Sequence, residues 1–260
     1  MWLGNHFLCN FKQNLRCILQ QSQIRLIFMI TWEKFESAVR SYPEIADYDQ
    51  SYEELMGNQK LINELRTNPS LKEIHKIMEF LNKWKCRIKY GDDSAKILLS
   101  VIAESLQLLD IIRNYNINDI DFDWKIHGNK FNLRIKDLII LLYSKFRHVD
   151  FKFGATATAK ILHILAPDLL VMWDKAILEY YQIKDPRVSD SGPGYVQFLI
   201  LMREIAIALN NEFQSSKLHH SLTWKDPASY LSMATKCNHP KTFAKYLDEY
   251  NWVTITRNNA

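Results

Sequence analysis

A small group of basic residues stands beside Gly154, and these residues could bind phosphate. Lys145, Arg147 and Lys152 precede the glycine closely, and contacts to nucleic-acid phosphates depend mainly on lysine and arginine. The same side chains could instead form the charged C-terminal end of a helix, where cations interact favourably with the helix dipole. The residue types leave both interpretations open.

Two further groups have side chains that bind metals elsewhere, but neither has a suitable spacing. One group consists of His219, His220, Cys237 and His239, and it matches no zinc-ligand pattern. The other is the acidic stretch 119–123, which resembles part of a calcium loop. There Trp124 occupies the position where an EF-hand needs a glycine, so we expect a loop with local side-chain turns. We predict no metal and no cofactor.

These residues must be positioned by helices. Seven glycines and seven prolines in 260 residues leave few breaks in regular structure, which disfavours glycine-rich phosphate loops and architectures built on tight β-turns. Apolar residues recur at helical spacing along most of the chain from Thr31. We therefore predict an all-α, multi-helix globular protein with a helix–hairpin–helix-like element and no sheet.

Start and stop signals divide this pattern into segments. A first helix from Trp32 is expected to stop before Pro43, and capping boxes are expected at Ser51–Glu54 and Ser70–Glu73. The aspartates at positions 92–93, 174 and 226 are expected to cap the helices that follow them. Further helices are predicted over 132–148, 155–165, 175–181, 195–210 and 240–250, with an exposed loop at 189–194 and a strand-like composition at 252–256.

Composition shifts predict four parts of the chain. Residues 1–28 are expected to be an extension that precedes the natural start near Met29, residues 29–114 an N-terminal helical subdomain, residues 115–131 a loop, and residues 132–260 a C-terminal helical subdomain.

The formal net charge of +4 permits a nucleic-acid partner without requiring one. Four scattered cysteines indicate a reducing cytoplasm, and the lack of a run of about 20 apolar residues predicts no membrane partner. The oligomeric state stays open.

The stretch Phe146–Tyr181 resembles the helix–hairpin–helix DNA glycosylase superfamily. It contains a helix, a turn with Gly154, an alanine-rich helix, and an apolar segment that ends in Asp174 before a further helix. Thr158–Leu162 is similar to the start of the second hairpin helix, and Val171–Ile177 is similar to the segment with the catalytic aspartate. About 40 residues carry this resemblance, and the stretch ending at Asp174 is also similar to uncharacterised prokaryotic proteins.

The resemblance implies double-stranded DNA as partner and a role for each matching residue. Backbone amides at Gly154 would bind a phosphate, with the side chains of Lys145, Arg147, Lys152 and Lys160 as further phosphate contacts. A flipped nucleotide would enter a pocket between the helical halves. Asp174 would be the catalytic carboxylate that stabilises positive charge on the sugar.

The chain departs from the family pattern at three points. The turn Phe151–Gly154 has one glycine where the family has two, and Ala157 stands where bifunctional members have a lysine. The cysteines form no iron–sulfur cluster motif. The resemblance therefore implies a monofunctional glycosylase without lyase activity. The alternatives are a non-enzymatic helical scaffold that binds nucleic acid or protein, and an unrelated all-α protein in which Asp174 only caps its helix.

Overall fold

The structure is a computed structural model that describes residues 30–46, 49–89, 91–128, 131–147, 153–183, 192–216 and 226–257. These residues form eleven α-helices and very little strand, which confirms the all-α prediction. The predicted extension 1–28, together with Lys152, His219 and His220, lies outside the described residues.

Helices and strands follow one another along the chain in this order. They are α1 (Trp32–Ile45), α2 (Asp49–Gly57), α3 (Gln59–Thr67), α4 (Leu71–Lys83), α5 (Asp92–Ile112), β1 (Lys125–Gly128), β2 (Phe131–Arg134), α6 (Ile135–Arg147), α7 (Ala155–Leu165), α8 (Lys175–Tyr180), α9 (Gly192–Ser215), α10 (Pro227–Ala234), α11 (Phe243–Asn251) and a π-helical turn (Trp252–Thr256).

Side-chain caps begin several of these helices as the sequence predicts. Ser70 and Glu73 form the capping box at the start of α4, and Asp226 Oδ1 accepts a hydrogen bond from Ser229 N at 2.9 Å before α10. Asp174 caps α8 in the same way. The cap is wrong at Ser51, because α2 already begins at Asp49 and Ser51 Oγ instead accepts a hydrogen bond from Trp84 Nε1 at 2.9 Å.

Two predicted boundaries are corrected by packing. Helix α1 continues through Pro43 to Ile45, because Val39 and Tyr42 are fully buried there and this burial offsets the hydrogen bond that proline cannot donate. The predicted loop at 189–194 overlaps the start of α9 at Gly192, which is buried. A Cβ atom at Gly192 would lie 2.8 Å from Ile140 O, so glycine is required where α9 packs against α6.

Two strand predictions are wrong. A short antiparallel hairpin pairs β1 with β2, whereas no sheet was expected, and it lies partly in the predicted loop. Residues 252–256 form a π-helical turn that continues α11 instead of a strand, because helical packing of α11 against α1 overrides their β-favouring side chains. The local turns at 116–123 are confirmed, since Asn116 Oδ1 accepts from Asn118 N at 2.9 Å and Asp121 Oδ1 accepts from Asp123 N at 2.9 Å.

The chain closes on itself around one hydrophobic core. Helix α11 packs against α1, so the last described helix returns to the first, and α7 packs against α4 and α6. Side chains from both predicted subdomains belong to the same buried cluster. The contact between α4 and α7 brings the two predicted halves together beside Asp174, and the division into subdomains stays a prediction.

Helix α9 is the one helix in the described part of the chain that is long and apolar enough to cross a membrane by those two criteria. It has 24 residues, and 61% of its most apolar 18-residue stretch is buried inside the protein. Such burial is ordinary for a core helix, and the predicted lack of a membrane partner stays a prediction.

Candidate functional site

A cavity of about 340 Å³ lies where the end of α4, helix α7, the start of α8 and the C-terminal turn meet. This volume falls at the lower end of the range of small-molecule sites, roughly 300–1,000 Å³. The aromatic part of its lining consists of Trp84, Trp173 and Trp252, and the charged part consists of Lys85, Lys160, Asp174, Asp248 and Arg257. The cavity therefore combines flat apolar surfaces with groups of both charges.

Asp174 lines this cavity and caps a helix at the same time. Its Oδ1 atom accepts a hydrogen bond from Ile177 N at 2.9 Å, which is the N-cap of α8. Its Oδ2 atom accepts a hydrogen bond from Thr256 Oγ1 at 2.8 Å. Each carboxylate oxygen has a second lone pair, so Asp174 can still accept a hydrogen bond from a ligand. The capping and site interpretations are thus compatible in space.

Lys160 lies in the same cavity, on the face of α7 that also carries Thr156 one turn earlier. Its Nζ atom lies 4.6 Å from the ring centroid of Trp84 and donates a hydrogen bond to Trp84 O at 3.4 Å. A lysine at this distance from an indole is attracted by the negative face of the ring. The structure therefore brings two of the predicted site residues, Lys160 and Asp174, to one cavity.

The predicted cations at the end of α6 do not line this cavity. Lys145 Nζ lies 3.8 Å from Glu104 Oε2, and Arg147 Nη1 donates a hydrogen bond to Phe153 O at 2.5 Å. Both side chains therefore already have partners within the protein. Gly154 is the exposed N-cap of α7, and a Cβ atom there would meet nothing within 4 Å, so the fold itself does not require glycine.

Lys85 and Arg257 line the cavity although the sequence patterns did not single them out. A signal was present at residues 85–89, where Lys85, Arg87 and Lys89 alternate with Cys86 and Ile88. Alternation of charged and less polar residues just after a helix predicts a segment with one solvent-facing side. No comparable signal marks Arg257, because only the C-terminal turn brings it to the cavity.

A buried ionic cluster lies behind the cavity wall. Lys245 Nζ lies 2.9 Å from Asp248 Oδ2 and 3.4 Å from Glu249 Oε1, while Lys241 Nζ lies 2.9 Å from Glu249 Oε1 and 2.7 Å from Asp49 Oδ2. Burial alone lowers the pKa of each lysine, but these carboxylates raise the pKa by more than burial lowers it, so the net shift is upward. Burial raises the pKa of Glu249, although both lysines oppose the shift.

His163 is a buried core histidine on the apolar helix α7. Its Nδ1 atom lies 2.6 Å from Leu170 O, and its Nε2 atom lies 2.9 Å from the Tyr52 hydroxyl. A carbonyl oxygen can only accept, so Nδ1 carries the proton and Nε2 accepts from Tyr52. Burial lowers the pKa of His163 to about 3, which keeps the imidazole neutral and leaves it outside the cavity chemistry.

The other candidates for metal binding have ordinary surroundings. Cys237 Sγ lies 2.8 Å from Thr235 Oγ1, and the ring of His239 packs against Gly57. Within the described ranges, no cluster of three or more histidine, cysteine or acidic residues could hold a metal ion.

No protein-family model, curated protein or solved structure matches the chain. The resemblance to helix–hairpin–helix DNA glycosylases therefore depends on the residues of 146–181 alone, and the activity that it implies stays a prediction.

Proposed function

We propose that this protein binds DNA and accepts one extruded nucleotide in the cavity at Asp174, where it hydrolyses the bond between a modified base and its sugar. One observation carries the proposal: the carboxylate of Asp174 and the ammonium group of Lys160 line one cavity whose remaining walls include three tryptophans. The aspartate stands at the position where the resemblance implies the catalytic carboxylate.

The lining residues suit a flat heterocycle attached to an anionic backbone. Bases stack on aromatic side chains whatever their sequence, and the half-buried ring of Trp252 offers such a surface. Lys160 and Arg257 place positive charge at the same cavity, where a phosphate beside the extruded sugar would be attracted. The base would lie on the ring of Trp252, and the phosphates would lie towards the cations.

The proposed reaction is a hydrolysis at the anomeric carbon. The bond between this carbon and the base nitrogen breaks, and its electron pair leaves with the base. The water oxygen bonds to the carbon, and one water proton ends on the departing base. Asp174 would stabilise the positive charge that develops on the sugar and would orient the water. Ala157 offers no amine for a covalent intermediate, so we expect an abasic product without strand cleavage.

The test is to incubate the protein with duplex oligonucleotides that each hold one damaged base and to measure abasic product. We expect product from at least one substrate and at least a hundredfold loss of rate in Asp174→Asn, with binding changed less than about twofold. Asparagine still caps a helix, so the variant should fold. Asp226→Asn is the matched control, because Asp226 caps α10 with the same geometry and does not line the cavity.

A second function is favoured by the same hydrogen bonds that hold Asp174 in place. Both of its oxygens are bonded to the protein, which is the arrangement of a structural residue. The corresponding proposal is a non-enzymatic module that binds DNA through this cavity. Salt-sensitive binding without abasic product across the whole substrate panel would support this module and would refute the enzyme.

A further inference from the structure

We propose that Lys85, Arg87 and Lys89, which together form a basic strip, bind the phosphate backbone of the nucleic acid beside the cavity. The strip follows the end of α4, and its first residue lines the cavity. Its three side chains are exposed, whereas Cys86 and Ile88 between them pack against the hydrophobic core. This inference rests on the proposed function, since it names the surface that holds the same ligand.

The basic strip is not neutralised by the fold. Among the residues that the structure describes, no carboxylate lies within ion-pair distance of Lys85, Arg87 or Lys89. The neighbouring Lys83 shows the contrast, because its Nζ atom lies 3.7 Å from Glu54 Oε2. The cations at the end of α6 are also occupied, by Glu104 and by Phe153 O. Positive charge that is exposed and unpaired beside the cavity is therefore found on the strip.

The backbone of the strip provides an independent observation. Lys85 and Arg87 have φ angles of 57° and 52°, in the left-handed region that disfavours residues with a Cβ atom. Glycine is the usual residue at such a position after a helix. In this chain Lys85 occupies that position and Arg87 follows two residues later. Gln182 and Lys236 have the same kind of backbone at other helix ends, but Lys85 and Arg87 combine it with unpaired charge beside the cavity, and backbone strain is enriched at functional sites. The positive φ angles therefore agree with a binding role for both side chains.

Hydrogen bonds hold the strained segment in one conformation. Asn82 Nδ2 donates to Ile88 O at 3.1 Å, and Ile88 N donates to Asn82 Oδ1 at 2.7 Å. Cys86 N donates to Leu81 O at 2.9 Å, which closes the end of α4. The strip is therefore fixed before a ligand binds, and little ordering of its backbone remains to oppose binding.

A row of exposed cations next to a nucleobase-sized cavity fits a repeating anion. Phosphate contacts of a protein fix the register of the nucleic acid, while a separate pocket reads the base. Lys160 and Arg257 would continue the positive surface from the strip into the cavity. The backbone of the DNA would then run along the strip and present one nucleotide to Asp174.

The test replaces both strained cations by the residue that their backbone favours. We expect Lys85→Gly/Arg87→Gly to keep or raise the melting temperature, because glycine adopts a positive φ without strain. Binding of an undamaged duplex oligonucleotide should weaken at least tenfold. The slope of log K against log salt concentration should become shallower by about 2, since each cation that binds a phosphate contributes roughly one to that slope. The exchange Lys85→Arg/Arg87→Lys should keep both affinity and slope.

The matched control removes two exposed lysines that do not line the cavity, Lys60 and Lys96. Lys60→Gln/Lys96→Gln has the same loss of charge and should leave the slope unchanged. An equal effect of the control and strip variants would overturn the strip as a specific surface. Undiminished duplex binding by the strip variant would also overturn the proposed role of the strip. The proposed function would still stand in that case if the wild type releases a damaged base.

A further arm uses vesicles with anionic phospholipids in place of the oligonucleotide. Binding of the wild type to these vesicles but not to DNA would overturn the strip as a nucleic-acid surface, and it would also refute the proposed function. If the strip variant loses DNA binding while no substrate yields abasic product, the strip is confirmed and only the enzymatic proposal fails.

Discussion

Lys160 and Lys245 both place their ammonium groups near the ring of Trp84, at 4.6 and 5.0 Å from its centroid, but they lie in opposite surroundings. Lys245 is completely buried and is paired with Asp248 and Glu249. Lys160 is half-buried in the cavity, and within the described ranges it has no carboxylate within ion-pair distance. Trp84 therefore contacts one lysine on the core side and another on the cavity side.

The difference shows which charge is available to a ligand. A buried ammonium group must be paired, since an unpaired ion in the interior is strongly unfavourable. A partly exposed ammonium group can remain unpaired because water solvates it. Asp248 belongs to both regions, since it pairs with Lys245 and lines the cavity, but it already has this lysine as its partner. Lys160 is thus the lysine that can attract an anion.

Of the two lysines beside Trp84, replacing the buried Lys245 should have the largest effect on stability. Lys245→Met leaves Asp248 without its lysine inside the protein, and such a loss should lower the free energy of unfolding by about 3–5 kcal/mol. The matched variant Lys160→Met should change it by no more than about 0.5 kcal/mol. Urea unfolding of both variants measures the difference. Similar losses in the two would contradict the contrast between core and cavity lysines.

The next effect is a dependence of stability on pH through the buried His163. Its pKa is lowered to about 3 by burial, with the nearby Lys245 acting in the same direction, whereas the unfolded imidazole titrates near 6.5. The stabilising contribution is therefore complete above pH 6.5 and is lost as the pH falls towards 3. Between pH 7 and pH 5 it should decrease by about 2 kcal/mol.

Denaturant unfolding at these two pH values measures this loss against His163→Gln, which has no titrating ring. The carboxylates titrate in both proteins, so the difference between them isolates the histidine. A wild type and variant with the same pH dependence would show that the imidazole titrates normally in the folded protein.

The smallest effect distinguishes the two roles of Asp174. Asp174→Ala removes the cap of α8 and should destabilise the protein by about 1 kcal/mol, whereas Asp174→Asn keeps a capping side chain and should be nearly neutral. Thermal unfolding measures both. If the asparagine variant is destabilised as much as the alanine variant, the ionised carboxylate itself holds the helix and Thr256 in place, and its role in the cavity is mainly structural.

The helices and their caps were largely predictable because they depend on neighbours along the chain. The turn at Gly154 and the sequence Ala166–Asp168 predicted the bounds of α7, and Ser70 with Glu73 predicted the start of α4. The predictions failed where packing overrides local preference, as at Pro43 and in the turn Trp252–Thr256. Apolar periodicity reports which face a segment buries, but it does not report which other segment covers that face.

By itself, the sequence determined the all-α class, the capping position of Asp174 and the small number of glycines that can relax a turn. The tertiary structure alone decided which cations remain unpaired. Lys145 and Arg147 have partners within the fold. Lys160 and Asp174 line one cavity because α7 and the start of α8 meet there, and Arg257 joins them because the turn after α11 packs against α8. The physical reason is that pairing and burial depend on distances between segments far apart in the chain, whereas helix formation depends on residues within a few positions of one another.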